Sequence, residues 1–155
     1  MPDIVEASTQ EQLEQVRSLF REYQAQLPVE YRTVQLDHEI ESLPGPYAAA
    51  RGCLLLATVS SQPAGCVGLR PFPLEGAAEI KRLYVRPGFR GYKLGQLLVQ
   101  RIIFEARNRG YTLLRLDTHP PTMQAAVGVY QRCGFTPVAP VDEAVPGLLY
   151  MQLRL

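Results

Sequence analysis

Apolar positions recur along the chain with two periods, near two and near three to four, and the switches between them mark out strands and helices. Ile4 and Val5 read as a short strand. Thr9 precedes Leu13, Val16, Leu19, Phe20 and Tyr23, a spacing that predicts a capped amphipathic helix closed by Pro28. A second short helix is expected from Gln35 to Leu43, before the breaker cluster of Pro44, Gly45 and Pro46. The apolar runs from Cys53 and from Cys66, joined through Gln62-Pro-Ala-Gly65, predict a β-hairpin with Pro at the second turn position and Gly at the fourth. From Ala78 to Val85 a strand is expected, with Ile80, Arg82 and Tyr84 on one face and Glu79, Lys81, Leu83 and Val85 on the other.

Between Gly91 and Arg109, Leu94, Leu97, Leu98, Ile102, Ile103 and Ala106 define the clearest helix, with Gly110 as its C-cap. The strand Thr112 to Thr118 follows, so residues 78–118 predict a right-handed parallel crossover. A helix from Met123 to Cys133 stops at Gly134, and strands Phe135 to Val141 and Leu148 to Leu155 close the chain. A hairpin joined to a parallel crossover gives an α/β chain with a mixed sheet. The alternation of Leu149, Met151, Leu153 and Leu155 suits either an edge that pairs with a second copy, giving a homodimer, or an interior strand.

Length and composition narrow this picture. The 155 residues suit one domain spanning 1–155, and 46% hydrophobic against 20% charged residues is a globular balance. No apolar run approaches the roughly 20 residues needed to cross a bilayer, and the acidic start does not resemble a signal peptide, so a soluble cytoplasmic chain is expected. The net charge of +1 gives no reason to expect a nucleic-acid or membrane partner. Cys53, Cys66 and Cys133 are odd in number and form no Cys-x-x-Cys pair, so neither a disulfide framework nor a metal site is expected. The charge is unevenly spread, however: residues 1–50 hold nine acids and three bases, and residues 81–109 hold eight bases and one acid.

The basic stretch contains the most informative segment, Pro87-Gly-Phe-Arg-Gly-Tyr-Lys-Leu-Gly95. A glycine-bearing loop that opens a helix presents free N–H groups and the positive end of the helix dipole, which suits a phosphate or pyrophosphate. Gly88, Gly91 and Gly95 would allow close approach, and Arg90 and Lys93 add charge; ordinary turn and packing glycines would give the same spacing. Neither a Walker sequence nor G-x-G-x-x-G is present.

From about residue 52 to 136 the chain resembles the GCN5-related N-acetyltransferase (GNAT) superfamily. The resemblance is carried by the segment Glu79 to Gly95, by Tyr130-Gln-Arg-Cys-Gly-Phe135, and by the order and spacing of the elements between them. It implies a central mixed sheet of six or seven strands flanked by about four helices and splayed between the strand ending at Val85 and the one beginning at Thr112. Acetyl-CoA is implied as co-substrate, with no metal. Its pantetheine would lie in the split against the backbone of Leu83, Tyr84 and Val85, and its pyrophosphate against the N–H groups of Arg90, Gly91, Tyr92, Lys93, Leu94 and Gly95. Met123 and Ala126 would line the cofactor.

The chain departs from the family at several points. With the Q/R-x-x-G-x-G/A loop read as Gly88 to Lys93, the first position is Gly and the last is Lys. Met123 stands where many members have an Asn. The implied reaction is direct attack by a primary amine on the acetyl thioester in a ternary complex. Glu79 is the candidate base, with a solvated strand-end acid as the plain reading; Tyr130 is the candidate general acid, with a core-facing tyrosine as the plain reading. The acceptor, a small-molecule or peptide amine, would enter near residues 20–50 and 142–147, where Glu22, Tyr23, Glu30, Tyr31, Asp37 and Glu41 would form an acidic, aromatic mouth, with a polar helix surface as the plain reading.

The remaining candidates have plainer readings. Cys133 has no neighbouring His and reads as structural, His38 and His119 lack ligand partners, and Arg101, Arg107 and Arg109 read as a solvated helix face. The alternative function is a non-catalytic acyl-CoA-binding sensor or regulatory module, to which Lys93 and Met123 lend weight. A mononucleotide-binding domain would need an acid about 20 residues past the glycine loop, and Asp117 does not fit that spacing.

Overall fold

The computed structural model describes residues 2–48 and 50–155. Strands β1 (Pro2–Glu6), β2 (Cys53–Val59), β3 (Gln62–Pro71), β4 (Ala77–Val85), β5 (Leu113–Thr118), β6 (Thr136–Pro137) and β7 (Leu149–Arg154) form one sheet in the order β1-β2-β3-β4-β5-β7-β6. Four helices flank it: α1 (Gln10–Gln26), α2 (Val34–Glu41), α3 (Leu94–Asn108) and α4 (Pro120–Arg132). The sheet is mixed: β4 and β5 run parallel and the other neighbours antiparallel. Thr9 caps α1 through a reciprocal capping box with Gln12, which satisfies N–H groups that the first turn leaves free.

Two apolar layers enclose the sheet. On one face Leu94, Leu98 and Ile102 of α3 pack against Leu55, Val67, Ile80 and Leu114; on the other, Val16, Leu19 and Phe20 of α1 and Ile40 of α2 cover Leu54, Leu56, Cys66 and Tyr84. Burial on both faces explains why β2 begins as an unbroken apolar run and not as an alternation. No helix among the described residues is long and apolar enough to cross a membrane.

The structure corrects several expectations. The hairpin turns at Ser60 and Ser61, both left-handed, and Gln62, Pro63 and Gly65 lie inside β3. Two left-handed residues match the twist of the strands they join, and the irregularity beside Thr58 accommodates Pro63, which has no N–H to donate. Helix α3 starts at Leu94, because residues Pro87–Tyr92 form a 3-10 turn. Helix α4 starts at Pro120, not at Met123: prolines are tolerated in the first turn, and Met123 is instead a kink with φ −129°. The strand expected from Phe135 to Val141 shrinks to Thr136–Pro137, in a stretch where Pro137 and Pro140 cannot donate. Strand β7 is interior, between β5 and β6, although β6 pairs with it only at Met151 and Gln152. Arg109 is not solvated: it bonds Glu6, Glu105 and the Gly52 carbonyl.

The largest correction concerns β4. Cys66 pairs with Tyr84 but Gly68 with Lys81, so Val67 alone faces both Arg82 and Leu83. This is a β-bulge, and Arg82 occupies it with φ +60°. The extra residue reverses the faces beyond it: Leu83 and Val85 join Ile80 on the α3 side, and Tyr84 packs beneath α1. Outside glycine, a left-handed conformation costs about 1 kcal/mol. It is held by buried Glu39 of α2, which accepts from Arg82 Nε at 2.9 Å and Nη2 at 3.1 Å, from Tyr47 Oη at 2.7 Å and from Arg70 Nη1 at 3.3 Å. Gly68 makes room for this arrangement, since a Cβ there would lie 2.6 Å from the Tyr47 ring.

Burial alone would raise the Glu39 carboxyl pKa, but the hydrogen bonds and charge of Arg82, with help from Tyr47 and Arg70, hold it below the ordinary carboxylate value. A pKa lowered by folding contributes stability that is present above the unfolded carboxylate range and lost as pH falls through the folded value. Glu39→Ala is therefore expected to destabilise the chain by about 3 kcal/mol in urea denaturation near pH 7, since it strands Arg82 in the interior. The difference between wild type and variant should narrow below about pH 4.

Candidate active site

The parallel ladder between β4 and β5 has three rungs and ends at Glu79 opposite Arg115. Beyond this rung the strands part and a cleft of about 860 Å³ opens between β4, the start of α3 and the first half of α4. Of the residues expected at a cofactor, Leu83, Tyr84, Val85, Arg90, Lys93, Leu94, Gly95, Met123 and Ala126 line it. Gly91 and Tyr92 lie in the adjoining 3-10 turn but do not line the cleft, and Tyr92 is exposed. Sequence reasoning missed Gln26, Gln96, Thr122, Gln124 and Arg132. Of these, Gln96 was readable as a first-turn residue of the helix whose N-terminus was already in view.

One end of the cleft gathers N–H donors and cations. The bond from Leu97 N–H to the Lys93 carbonyl opens the helical ladder, so the N–H groups of Leu94, Gly95 and Gln96 have no acceptor within α3. They meet the dipole's positive end beside Arg90, Lys93 and Arg132. Further in, Leu83, Val85, Leu94 and Ala126 give an apolar wall suited to an alkyl arm. This donor set and wall fit a pyrophosphate carrying a pantetheine-like chain.

Lys93 is left-handed, with φ +57°, whereas Gly88, Gly91 and Gly95 are not in that region. Aligned on that conformation, the Q/R-x-x-G-x-G/A loop runs from Arg90 to Gly95 rather than from Gly88 to Lys93. Arg90 then fills the first position, Gly95 the last, and Lys93 takes the place where a glycine is conformationally favoured. Met123 lies at the kink of α4, where its Sδ accepts from Thr118 Oγ1 at 3.6 Å.

Tyr130 stands one turn beyond Ala126 on α4, is buried, and packs edge-on against Phe135 at 5.6 Å. Burial raises its hydroxyl well above the ordinary tyrosine value, reinforced by Tyr23, Asp117 and Cys133, so it keeps its proton at neutral pH. Tyr130 does not line the large cleft. Glu79 is also buried and is held by Arg70 Nε at 3.1 Å and Lys81 Nζ at 3.9 Å; Lys81 continues to Asp117 at 3.5 Å. Glu79 and Asp117 face a second hollow of about 220 Å³, bounded also by Arg115, Asp142, Glu143 and Tyr150.

The two segments expected to flank the acceptor do meet. Tyr31 donates to the Pro146 carbonyl at 2.6 Å and packs its ring 5.0 Å from that of His119. Gly147, with φ +87°, permits this, because a Cβ there would lie 2.6 Å from the Tyr31 hydroxyl. The expected acidic mouth is partly neutralised. Glu22 binds Arg86 and accepts from Tyr84, and Arg86 holds its carboxyl below the ordinary range against the opposing effect of burial. Asp37 accepts from Gln24, and Glu30 and Glu41 are exposed. Burial pushes the Cys53 thiol up to about 12 and raises Cys133, so neither is an activated nucleophile.

A mixed sheet that parts beside an anion-binding helix start is the architecture of a class of acyltransferases. Residues 14–135 match the Acetyltransferase (GNAT) family, and the chain belongs to it. It is 35% identical over 145 residues to an uncharacterised N-acetyltransferase of Schizosaccharomyces pombe, covering 92% of this chain and 88% of that one. Its fold is shared with a GNAT acetyltransferase of Staphylococcus aureus, with TM-score 0.80 and 17% identity over 99% of both chains. It is shared too with the PaiA N-acetyltransferase of Thermoplasma acidophilum, solved with coenzyme A, with TM-score 0.76 and 20% identity over 100% of this chain and 99% of that one.

Because Lys93 holds a conformation glycine adopts freely, Lys93→Gly should leave stability unchanged or raise it by up to about 1 kcal/mol in denaturant unfolding, despite the greater freedom glycine gives the unfolded chain. Gly147→Ala should instead lower the melting temperature by a few degrees, because it meets both a strained backbone and the Tyr31 hydroxyl.

Proposed function

We propose that this chain transfers the acetyl group of acetyl-CoA to a primary amine by direct attack in a ternary complex. The observation that carries the reading is the opening of the β4–β5 pair directly beside the free N–H groups of α3. In this reading the N–H groups and cations of Arg90 to Gln96 hold the pyrophosphate, and the backbone of Leu83 to Val85 pairs with the pantetheine arm. Met123 and Ala126 close its other side.

An N–H donor near Val85 polarises the thioester carbonyl. The amine must lose a proton before it attacks. Glu79 takes it through water, because Arg70 and Lys81 already occupy the carboxylate and four residues of strand separate Glu79 from Leu83. The new C–N bond forms as the C–S bond breaks; Tyr130, protonated and one turn beyond the cleft-lining Ala126, gives its proton to the departing thiolate and recovers one from the second proton that the attacking nitrogen loses. The S. pombe relative's description as an N-acetyltransferase supports an amine acceptor.

Tyr130→Phe is expected to leave acetyl-CoA affinity unchanged and to cut turnover roughly 10- to 1000-fold, read as CoA thiol release. Unchanged turnover would remove Tyr130 from the chemistry. Initial rates with both substrates varied should give intersecting double-reciprocal lines; parallel lines would indicate a covalent acetyl-enzyme and contradict direct attack.

A further inference from the structure

The proposed acetyl transfer leaves one buried charge unused. Arg115 on β5 is 6% exposed, and its guanidinium lies 5.4 Å above the Phe72 ring. Its Nη2 donates to the Ala139 carbonyl at 2.8 Å. The acids nearest to it along the strands are engaged elsewhere, Glu79 with Arg70 and Lys81 and Asp117 with Lys81, and among the described residues Arg115 has no ion pair. A guanidinium carries five N–H donors. Among the described residues no side-chain nitrogen or oxygen sealed from solvent lacks a partner, so the donors of Arg115 without a partner keep some access to solvent, and Arg115 lines the 220 Å³ hollow. A cation buried without a counter-ion is unfavourable, and a carboxylate entering that hollow would relieve it through paired N–H bonds.

The position of this cation suggests what else the ligand carries. Arg115 stands opposite Glu79 on the last rung before β4 and β5 part. The guanidinium reaches both Phe72, level with the closed end of the ladder, and the Ala139 carbonyl, beside Asp117 and Thr118 at its open end, so a carboxylate held here lies beside the parting strands and a few residues of strand short of Leu83. Asp142 and Glu143, exposed at the hollow's edge, would attract an ammonium group.

We propose that the acceptor is an amino acid whose carboxylate binds Arg115 and whose reacting amine lies several bonds away, as in an ω-amino or diamino acid. This rests on the acetyl-transfer reading above and specifies its second substrate.

The test compares amines that differ only in the carboxylate, lysine with cadaverine and ornithine with putrescine, for wild type and Arg115→Met at saturating acetyl-CoA. Methionine keeps an apolar side chain against Phe72 and removes the charge. Wild type should favour each acid over its decarboxylated partner by about tenfold or more in kcat/KM, the scale of a charged hydrogen-bond pair. In Arg115→Met that preference should vanish through a raised KM for the acids, with cadaverine turnover retained. Equal use of the two amines by wild type, or an equal loss for both in the variant, would overturn the assignment. Calorimetry on the CoA-loaded chain separates this from failure of the acetyl-transfer reading. If no amine is acetylated, binding of lysine but not cadaverine would still uphold the carboxylate site, and absence of lysine binding would overturn it.

Discussion

The paired hydrogen bonds between Arg82 and Glu39 hold the strained residue on which the geometry of the site depends. Without a bulge at Arg82, β4 would keep its alternation, Leu83 and Val85 would turn away from Ile80, and the wall of the cleft would carry different side chains. The pair joins α2 to β4, so the helix packed on one face of the sheet fixes the strand that lines the opening. Arg70 and Tyr47 fill the remaining acceptor positions of Glu39, which is how a buried carboxylate can remain charged.

Most of the bases between Lys81 and Arg109 fall into two groups once their partners are known. Arg82, Arg86 and Arg109 each hold a carboxylate of another element, whereas Arg101 holds Glu105 of its own helix and ties α3 to β1 through the Ile4 carbonyl. Arg90 and Lys93 have no ion pair among the described residues and line the cleft where α3 begins. The near-zero net charge therefore conceals a local excess of unpaired cations beside the free N–H groups of α3.

Much of the fold was legible because periodicity reports directly on burial. The helix α3, the strand β7 and the crossover from β4 to β5 all follow from apolar spacing and end signals, although the alternation in β7 suited an edge and an interior place equally. Features set by a single residue's backbone were not legible: a bulge needs a partner strand to define it, and the turn at Ser60 and Ser61 carries none of the usual glycine or asparagine. The same limit displaced the glycine-loop register, since nothing in the sequence marks Lys93 as left-handed. In the site, most of the segments that line the cleft were readable through the family resemblance, but the engagement of Glu79 by Arg70 and Lys81 and the unpaired state of Arg115 depend on contacts between distant strands.

The most direct test of the account is a calorimetric titration of the purified chain with acetyl-CoA, with ATP as a control for simple phosphate attraction. The account requires saturable binding of one acetyl-CoA per chain, much tighter than ATP, because pantetheine in the parted strands and pyrophosphate at the start of α3 act together. Absence of acetyl-CoA binding in folded protein, or equal binding of ATP, would contradict it.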